Sequence, residues 1–410
     1  MIRTGEKLLL WLMITAIVAG FVAGYFGGEA MISVKWLGDL FLTALKMLIV
    51  PLVVASVITG VAGLGDVRKL GRLGGISVAY YATTTFIAVS IGLLMANLWQ
   101  PGIGVPLGDM QAPKSTPGDV GISDLILSLV HPNIIAAAAD MKLLPIIVFC
   151  IAFAAALSML GERGETVFRF FDGLNEAMMK MVEWIMWFAP IGVFALIASK
   201  LGEAGGGDAF FAQLAGLAKY ALTVVSGLLA HAAVLCAILF FVARRSVAEY
   251  LGHMATALMT AFSTASSSAT LPLTMEGVKM AGVPKPARRF VLPLGATINM
   301  DGTALYEAVA VLFIAQAMGI DLTFGQQMIV LVTATLAAIG AAGIPEAGLV
   351  TMVIVLEAVG LPLEGIGLIL AIDWFLDRCR TTVNVYGDAV GAAVVGRLTG
   401  NNERNEGSRD

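Results

Sequence analysis

The chain has 410 residues, of which 58% are hydrophobic and 13% are charged, and its formal net charge is -4. Soluble domains usually carry about 25% charged residues. A charged fraction of about half that value, together with a mean hydropathy of +0.89, excludes a water-soluble globule. The composition indicates an all-α protein with several membrane spans, for which the lipid bilayer is the first partner. Because no basic patch stands out, no nucleic acid is expected as a partner.

Apolar segments long enough to cross a bilayer, about 20 residues each, follow one another along the chain. We expect spans at 8–27, 37–64, 75–99, 123–160, 166–200, 209–243, 286–320 and 362–396. The first segment lacks a good small-residue cleavage site, so it is interpreted as a retained span and not as a signal peptide. His131, His231 and His253 show no spacing typical of a ligand set, and the three cysteines show no metal spacing.

Lysine and arginine cluster in alternate loops, which by the positive-inside rule places these loops and both termini in the cytoplasm. Two of these clusters, 244–245 and 285–289, fall on the same side, so the apolar segment 247–283 must cross twice or re-enter. Its serine-rich centre favours a re-entrant helical hairpin. The segment 324–360, which is opened by glycines and Pro345, favours a second hairpin from the opposite face. The units 247–320 and 324–396 form a candidate inverted repeat, a common arrangement around a transporter's binding site.

The last span carries polar residues at helical spacing. They are Asp373, Asp377, Arg380, Thr381, Asn384 and Asp388. At 3.6 residues per turn these positions share one stripe, and ionisable groups within a membrane usually face the bundle interior. A carboxylate and a guanidinium one turn apart suit a ligand that has both an ammonium and a carboxylate group.

The span 286–320 contains a second polar group, Asn299–Thr303, followed by Glu307. Asp301 and Gly302 in mid-span predict a local unwinding that frees backbone carbonyls. Carbonyl and carboxylate oxygens are suitable ligands for sodium. The alternative, a kinked helix with small residues at a packing contact, does not explain why two carboxylates lie so close together.

Five motifs in order resemble the glutamate transporter family, the dicarboxylate/amino acid:cation symporters, and the resemblance covers essentially the whole chain. The motifs are Lys46–Leu52, Ser266–Pro272, Leu294–Tyr306, Gly343–Pro345 and Asp373–Asp388. The resemblance implies eight transmembrane helices plus two re-entrant hairpins with inverted repeats, and a homotrimer. It also implies a scaffold at 1–74 and 101–205, a moving transport domain at 75–100 and 206–400, and a disordered tail at 401–410.

The resemblance further implies sodium-coupled symport of L-glutamate or L-aspartate by elevator-type alternating access, with no organic cofactor. The implied substrate contacts are Ser267, Thr303, Ile344, Gly348, Asp377, Arg380, Thr381 and Asn384. Among these, Asp377 matches the residue that holds the substrate's amino group, and Arg380 matches the residue that binds its side-chain carboxylate.

The resemblance also implies three sodium sites. The first site comprises Asp388, Asn384, and the backbone of Gly295 and Asn299. The second comprises Thr297, Met300, Ala338, Ile339 and Ala341. The third comprises Tyr81, Thr84, Thr85, Asn299 and Asp301.

Ala265, Arg378 and Glu307 match the animal excitatory amino acid transporters, in contrast to the archaeal members. A carboxyl group surrounded by apolar atoms takes up a proton easily. The resemblance to the animal members implies that Glu307 and Arg378 are candidates for proton cotransport and potassium countertransport. Glu346 departs from the animal pattern, which has glutamine at the tip of the second hairpin.

Three alternatives stay open at this point: a C4-dicarboxylate carrier, a neutral amino acid carrier and an anion channel. Asp377 speaks against the first, because a dicarboxylate has no ammonium group, and Arg380 speaks against the second. A non-enzyme is expected, since no G-x-S-x-G turn surrounds Ser266–Ser268. Short loops and the missing glycosylation sequon favour a bacterial inner membrane.

Overall fold

The computed structural model describes residues 4–63, 71–105, 127, 129–140, 142–203, 208–340 and 347–400. Within these ranges the backbone is helical and contains no β-strand, so the predicted all-α class is confirmed. The α-helices there are α1 Thr4–Gly27, α2 Lys35–Ala62, α3 Gly71–Trp99, α4 Ile134–Ala139, α5 Leu143–Met159, α6 Glu165–Glu203, α7 Asp208–Phe241, α8 Val247–Thr264, α9 Ser267–Met280, α10 Lys285–Ile298, α11 Asp301–Ala317, α12 Phe324–Gly340, α13 Ala347–Ala358 and α14 Ile366–Leu398.

Five stretches of the described chain are long and apolar enough to cross a membrane. They are Trp11–Phe41, Arg72–Trp99, Gly161–Ser199, Leu214–Phe241 and Lys285–Ala317. An 18-residue window of the last of these is fully buried, so the apolar surface of that window faces other helices. The chain is therefore a multi-pass membrane protein by length and composition.

The helices pack as two groups. In the first group α6 packs along α1 and α2, and α5 packs on α2. In the second, α3 packs on α11, and α14 packs against α7, α8, α10 and α11. The groups meet where α14 contacts α6 and where α12 and α13 contact α2 and α5.

The segment 247–283 forms two helices that pack against each other, α8 and α9. They are joined at Ala265, which takes a left-handed conformation with φ of 51°, and at Ser266, whose hydroxyl accepts a bond from Ala269 N at the start of α9. A left-handed conformation costs a residue with a Cβ roughly 1–2 kcal/mol. The serine-rich sequence thus ends one helix and caps the next, as the hairpin prediction requires.

The segment 324–360 likewise forms a pair of contacting helices, α12 and α13. The predicted tip of this hairpin, with Gly343 and Pro345, lies outside the described residues, as do Ala341, Ile344 and Glu346.

The predicted interruption of the seventh span is confirmed. Helix α10 ends at Ile298 and α11 begins at Asp301, and Asn299 and Met300 between them have non-helical φ and ψ. The break comes two residues before Gly302, which is already helical. Opening the backbone here leaves polar groups in the protein interior, where only other protein groups or bound ions can satisfy them.

Candidate functional site

All six polar residues of the α14 stripe are buried, as the helical spacing predicted. They face the break between α10 and α11, because α14 packs against these two helices. At Arg380 the stripe also faces the start of α13. A buried stripe of this kind must be compensated from neighbouring elements, since an uncompensated buried charge is costly.

Arg380 is the largest side chain of the described residues that is completely buried. Its Nη1 donates to Asp373 Oδ1 and its Nη2 donates to Asp377 Oδ1, both at 2.8 Å. The guanidinium also stacks over the ring of Tyr306, 3.8 Å from the ring centroid. The sequence suggested that Asp377 and Arg380 hold opposite ends of a ligand, whereas the structure pairs them with each other. A ligand carboxylate must therefore compete with Asp373 and Asp377 for the guanidinium.

Two glycines allow other segments to approach Arg380. A Cβ at Gly302 would lie 2.7 Å from the Arg380 carbonyl oxygen, so α11 can approach α14 only without a side chain there. A Cβ at Gly348 would lie 3.1 Å from Arg380 Nη2 and 3.2 Å from Thr303 Cγ2. The structure therefore places Gly348, Thr303 and Arg380 together, and Thr381 and Ser267 are also buried.

A second cluster lies about two turns along α14 from Arg380. It consists of Asp388 together with Gly295 of α10 and Asn299 of the break after α10. Asn299 Nδ2 donates to Asp388 Oδ1 at 3.0 Å. The Cα of Gly295 lies so close that a Cβ would collide with Asp388 Oδ1, and it would lie 2.8 Å from Tyr81 Oη. These are the residues proposed for the first sodium site, and the structure brings them into contact.

Asn384 connects the two clusters. Its Oδ1 accepts from Gly302 N at 2.7 Å, and its Nδ2 lies 3.3 Å from both Met300 Sδ and Thr303 Oγ1. One amide thus holds the start of α11 to α14. Along α14, Asn384 lies between Arg380 and Asp388, and it contacts Met300, the residue that follows Asn299.

Asp301 is the centre of a third cluster. Thr85 Oγ1 donates to Asp301 Oδ1 at 2.7 Å, and Thr84 Oγ1 lies 3.4 Å from the same oxygen and 3.5 Å from Asn299 Oδ1. The neighbouring Tyr81 hydroxyl donates to Val291 O at 2.6 Å. The threonines of α3 and the acid of α11, which are far apart in sequence, meet as the resemblance implied.

His231 belongs to this third cluster although the sequence analysis did not select it. Its side chain is completely buried, and its Nε2 lies 3.0 Å from Asp301 Oδ2. Because a carboxylate only accepts hydrogen bonds, Nε2 is the donor. The two residues stand 70 positions apart in two different apolar helices, so no local spacing could have connected them.

Some predicted residues are not joined to these clusters by the contacts that the structure describes. Thr297 is exposed, and its hydroxyl donates to Leu294 O of its own helix. Ala338 is buried, and the carbonyl of Ile339 faces Gly60 of α2. Arg378 bonds the Trp374 carbonyl and lies over the Trp374 ring, on a different face of α14 from Arg380.

Glu307 is completely buried in α11, two turns after the break. Neither of its carboxyl oxygens has a hydrogen-bond partner of normal geometry within the described residues. Thr351 of α13 and Arg380 are its polar neighbours. A charged carboxylate in such a place is costly, because burial removes its hydration.

The chain is similar to a known protein family and to several of its members. Residues 9–398 match the model of the sodium:dicarboxylate symporter family. "Excitatory amino acid transporter 1" of Ambystoma tigrinum is 39% identical, and the alignment covers 94% of this chain and 82% of that protein. "Excitatory amino acid transporter 3" of Mus musculus is also 39% identical, with 95% of this chain and 86% of that protein covered.

A relative that is named for a different substrate is also similar. "Neutral amino acid transporter B(0)" of Oryctolagus cuniculus is 38% identical, with 95% of this chain and 80% of that protein covered. The family model spans nearly the whole chain, and the alignments cover at least 80% of each of these relatives. The chain belongs to the sodium:dicarboxylate symporter family.

Proposed function

We propose that the protein imports L-glutamate or L-aspartate together with sodium ions. The observation that carries this proposal is the imbalance of buried charge. Apart from histidine, the buried side chains that ordinarily carry a charge within the described ranges are Asp301, Glu307, Asp373, Asp377, Arg380 and Asp388. Five acidic groups are thus buried together with one guanidinium. Such an excess is costly in a membrane unless cations or protons neutralise it.

In the proposed exchange, the side-chain carboxylate of the substrate binds the guanidinium of Arg380 in place of Asp377. Asp377 is thereby released and accepts hydrogen bonds from the substrate's ammonium group. Both new contacts, the substrate carboxylate with Arg380 and the substrate ammonium with Asp377, are charge-assisted hydrogen bonds. A guanidinium can bind a carboxylate through two parallel hydrogen bonds, so the exchange replaces one strong ion pair by others of similar strength. Thr303, Thr381 and Asn384 supply further polar groups beside them, and Gly348 covers Arg380.

Sodium coupling follows from the same charges. Asp388 with Asn299 and Gly295 forms one proposed site, and Asp301 with the threonines of α3 forms another. With its substrate but without sodium, the domain would carry unpaired carboxylates through apolar surroundings. This costs several kcal/mol or more, so the loaded and the empty forms move and the partly loaded forms do not.

The proposed architecture has eight transmembrane helices and two re-entrant hairpins with inverted repeats. Residues 1–74 and 101–205 form the scaffold, which assembles as a homotrimer in the lipid bilayer. Residues 75–100 and 206–400 form the transport domain, which moves as an elevator. The separate packing of α1, α2, α5 and α6 supports this division. We place the protein in a bacterial inner membrane with both termini in the cytoplasm.

We further propose that Glu307 carries a proton inward and allows potassium to return outward. With Glu307→Gln, we expect uptake that no longer accelerates when the outside is more acidic than the inside, because glutamine holds the neutral shape but binds no proton. Uptake into proteoliposomes at equal and at opposed pH values measures this, with internal potassium varied separately. An acid-driven acceleration that persists in Glu307→Gln would assign the proton to another group.

The function itself is tested by uptake into proteoliposomes with and without an inward sodium gradient. We expect labelled glutamate or aspartate to accumulate only with the gradient, because sodium neutralises the buried carboxylates. Accumulation that continues unchanged without the gradient contradicts sodium coupling. Current without accumulation would instead support the anion channel.

A neutral amino acid carrier is the second candidate, and the similarity to the rabbit neutral amino acid transporter favours it. The completely buried guanidinium of Arg380 argues against it, because a neutral substrate has no side-chain carboxylate to bind there. A C4-dicarboxylate carrier would leave Asp377 without an ammonium partner. Competition of uptake by alanine, serine, succinate and aspartate separates the three.

A further inference from the structure

Two tyrosine hydroxyls hold the residues on either side of Asp388. Tyr80 of α3 donates to the carbonyl of Gly387 at 3.0 Å, and Tyr250 of α8 donates to the carbonyl of Ala389 at 2.5 Å. Both tyrosines are buried. The carbonyls of the two residues that flank Asp388 are thus bonded from two different helices.

These bonds are additional to the helix. A helical carbonyl accepts one bond from the backbone N–H four residues later, and its second lone pair is usually left to water. In the interior of a membrane protein no lipid can supply that second donor. Two hydroxyls placed on the carbonyls of Gly387 and Ala389 therefore fix the rotation and the height of α14 at Asp388.

The absence of a side chain at Gly391 lets Tyr80 approach α14 closely. A Cβ at Gly391 would lie 2.7 Å from Tyr80 Cε1, so the ring lies flat against α14 only because position 391 has no side chain. The next residue, Tyr81, packs edge-on against Tyr80 with ring centroids 5.7 Å apart and donates to Val291 O in α10. Neighbouring tyrosines of α3 thus hold α14 and α10, the helices that carry Asp388 and Gly295.

We infer that Tyr80 and Tyr250 are positioning residues for the Asp388 carboxylate, which they hold at the distance from Asn299 and Gly295 that a sodium ion needs. The inference rests on the sodium role proposed above for Asp388. The hydroxyls of Tyr80 and Tyr250 do not contact the ion, because each acts through the α14 backbone. Selectivity among ions depends on the size and stiffness of the site, so loosening these bonds should change it.

Tyr80→Phe, Tyr250→Phe and the double variant test the inference, because each keeps the ring and removes only the hydroxyl. Tyr386→Phe is the matched control. Tyr386 lies on α14 two residues before Asp388, but its hydroxyl pairs with Cys236 Sγ at 3.2 Å and not with a carbonyl beside Asp388. The readouts are the sodium concentration for half-maximal uptake, the maximal rate, and the ratio of uptake in lithium to uptake in sodium.

We expect each single variant to need about 2- to 10-fold more sodium, the range that one hydrogen bond supplies, with a maximal rate within about twofold of the wild type. The lithium-to-sodium ratio should rise, and the double variant should exceed both singles. Tyr386→Phe should leave all three readouts unchanged. An unchanged sodium requirement in Tyr80→Phe and Tyr250→Phe overturns the inference, as does an equal shift in Tyr386→Phe.

Sodium-dependent thermal stabilisation of the purified protein separates this inference from the proposed function. A wild type that is stabilised by sodium but does not accumulate amino acids refutes the function alone, and the tyrosine variants are then compared by their sodium midpoints. A wild type that sodium does not stabilise refutes the sodium site and the positioning role with it.

Discussion

Replacing Arg380 with cysteine should turn a carrier of acidic amino acids into one that prefers neutral amino acids. The guanidinium is the only buried cation, apart from histidine, among the described residues, and it faces Asp373 and Asp377 at 2.8 Å. Without it, a side-chain carboxylate would enter a region of uncompensated negative charge. The thiol leaves room for a small neutral side chain, while Asp377 still binds the ammonium group.

The expected loss of glutamate and aspartate uptake is about 30-fold or more. Removing one partner of a buried, hydrogen-bonded charge pair costs about 2–5 kcal/mol, and 1.4 kcal/mol corresponds to a factor of ten. Competition experiments with aspartate, serine and alanine measure the shift. Retained preference for acidic substrates would show that Arg380 does not bind the side-chain carboxylate.

The same substitution should lower stability, because it leaves Asp373 and Asp377 without their cation. Breaking a buried ion pair costs about 3–5 kcal/mol unless the remaining carboxylate takes up a proton. Arg378→Cys is the matched control, since the Arg378 guanidinium lies over Trp374 and not beside the aspartates. The control should keep both the melting temperature and the selectivity for acidic substrates.

Periodicity explains how much of this site could be predicted from the sequence. The steps between Asp373 and Asp388 fit one helix face, and all members of that face are buried. The interruption near Asp301 was also predictable, because polar residues and glycine stand together in an apolar span. Both predictions use only the spacing of neighbouring residues, which a helix converts directly into position.

Other features depend on which helices meet, and sequence spacing does not contain that information. His231 is one histidine in an apolar helix, and its role becomes visible only when α7 brings it to Asp301. Asp373 was expected to share the stripe, but its bond to Arg380 depends on how both side chains turn. Two residues along a helix rotate the side chain of Arg378 by about 200° from that of Arg380, and the coupling role expected for Arg378 with Glu307 stays a prediction.

Asp388→Asn should strongly weaken the response to sodium while leaving the fold intact. The amide oxygen of asparagine can still accept the bond from Asn299 Nδ2, so the shape and the hydrogen bond at 3.0 Å are retained. Only the charge that attracts the ion is lost. We expect the sodium concentration for half-maximal uptake to rise by about 30-fold or more, the loss expected for a buried charge pair.

Two readouts of Asp388→Asn should move in opposite directions. Burying a carboxylate without its counter-ion is unfavourable, so the variant should melt at the same or a higher temperature than the wild type when sodium is absent. When sodium is added, only the wild type should gain stability. A variant that is destabilised without sodium and still responds to it would mean that Asp388 has a structural role instead.

Gly295→Ala approaches the same site from the opposite side. A Cβ there would collide with Asp388 Oδ1 and crowd the Tyr81 hydroxyl, so it should displace the carboxylate without removing its charge. We expect a loss of sodium-driven uptake comparable to that of Asp388→Asn. Gly252→Ala is the control, because a Cβ at this helical glycine meets nothing within 4 Å. If Gly295→Ala transports with the wild-type sodium requirement, the ion does not lie between Gly295 and Asp388.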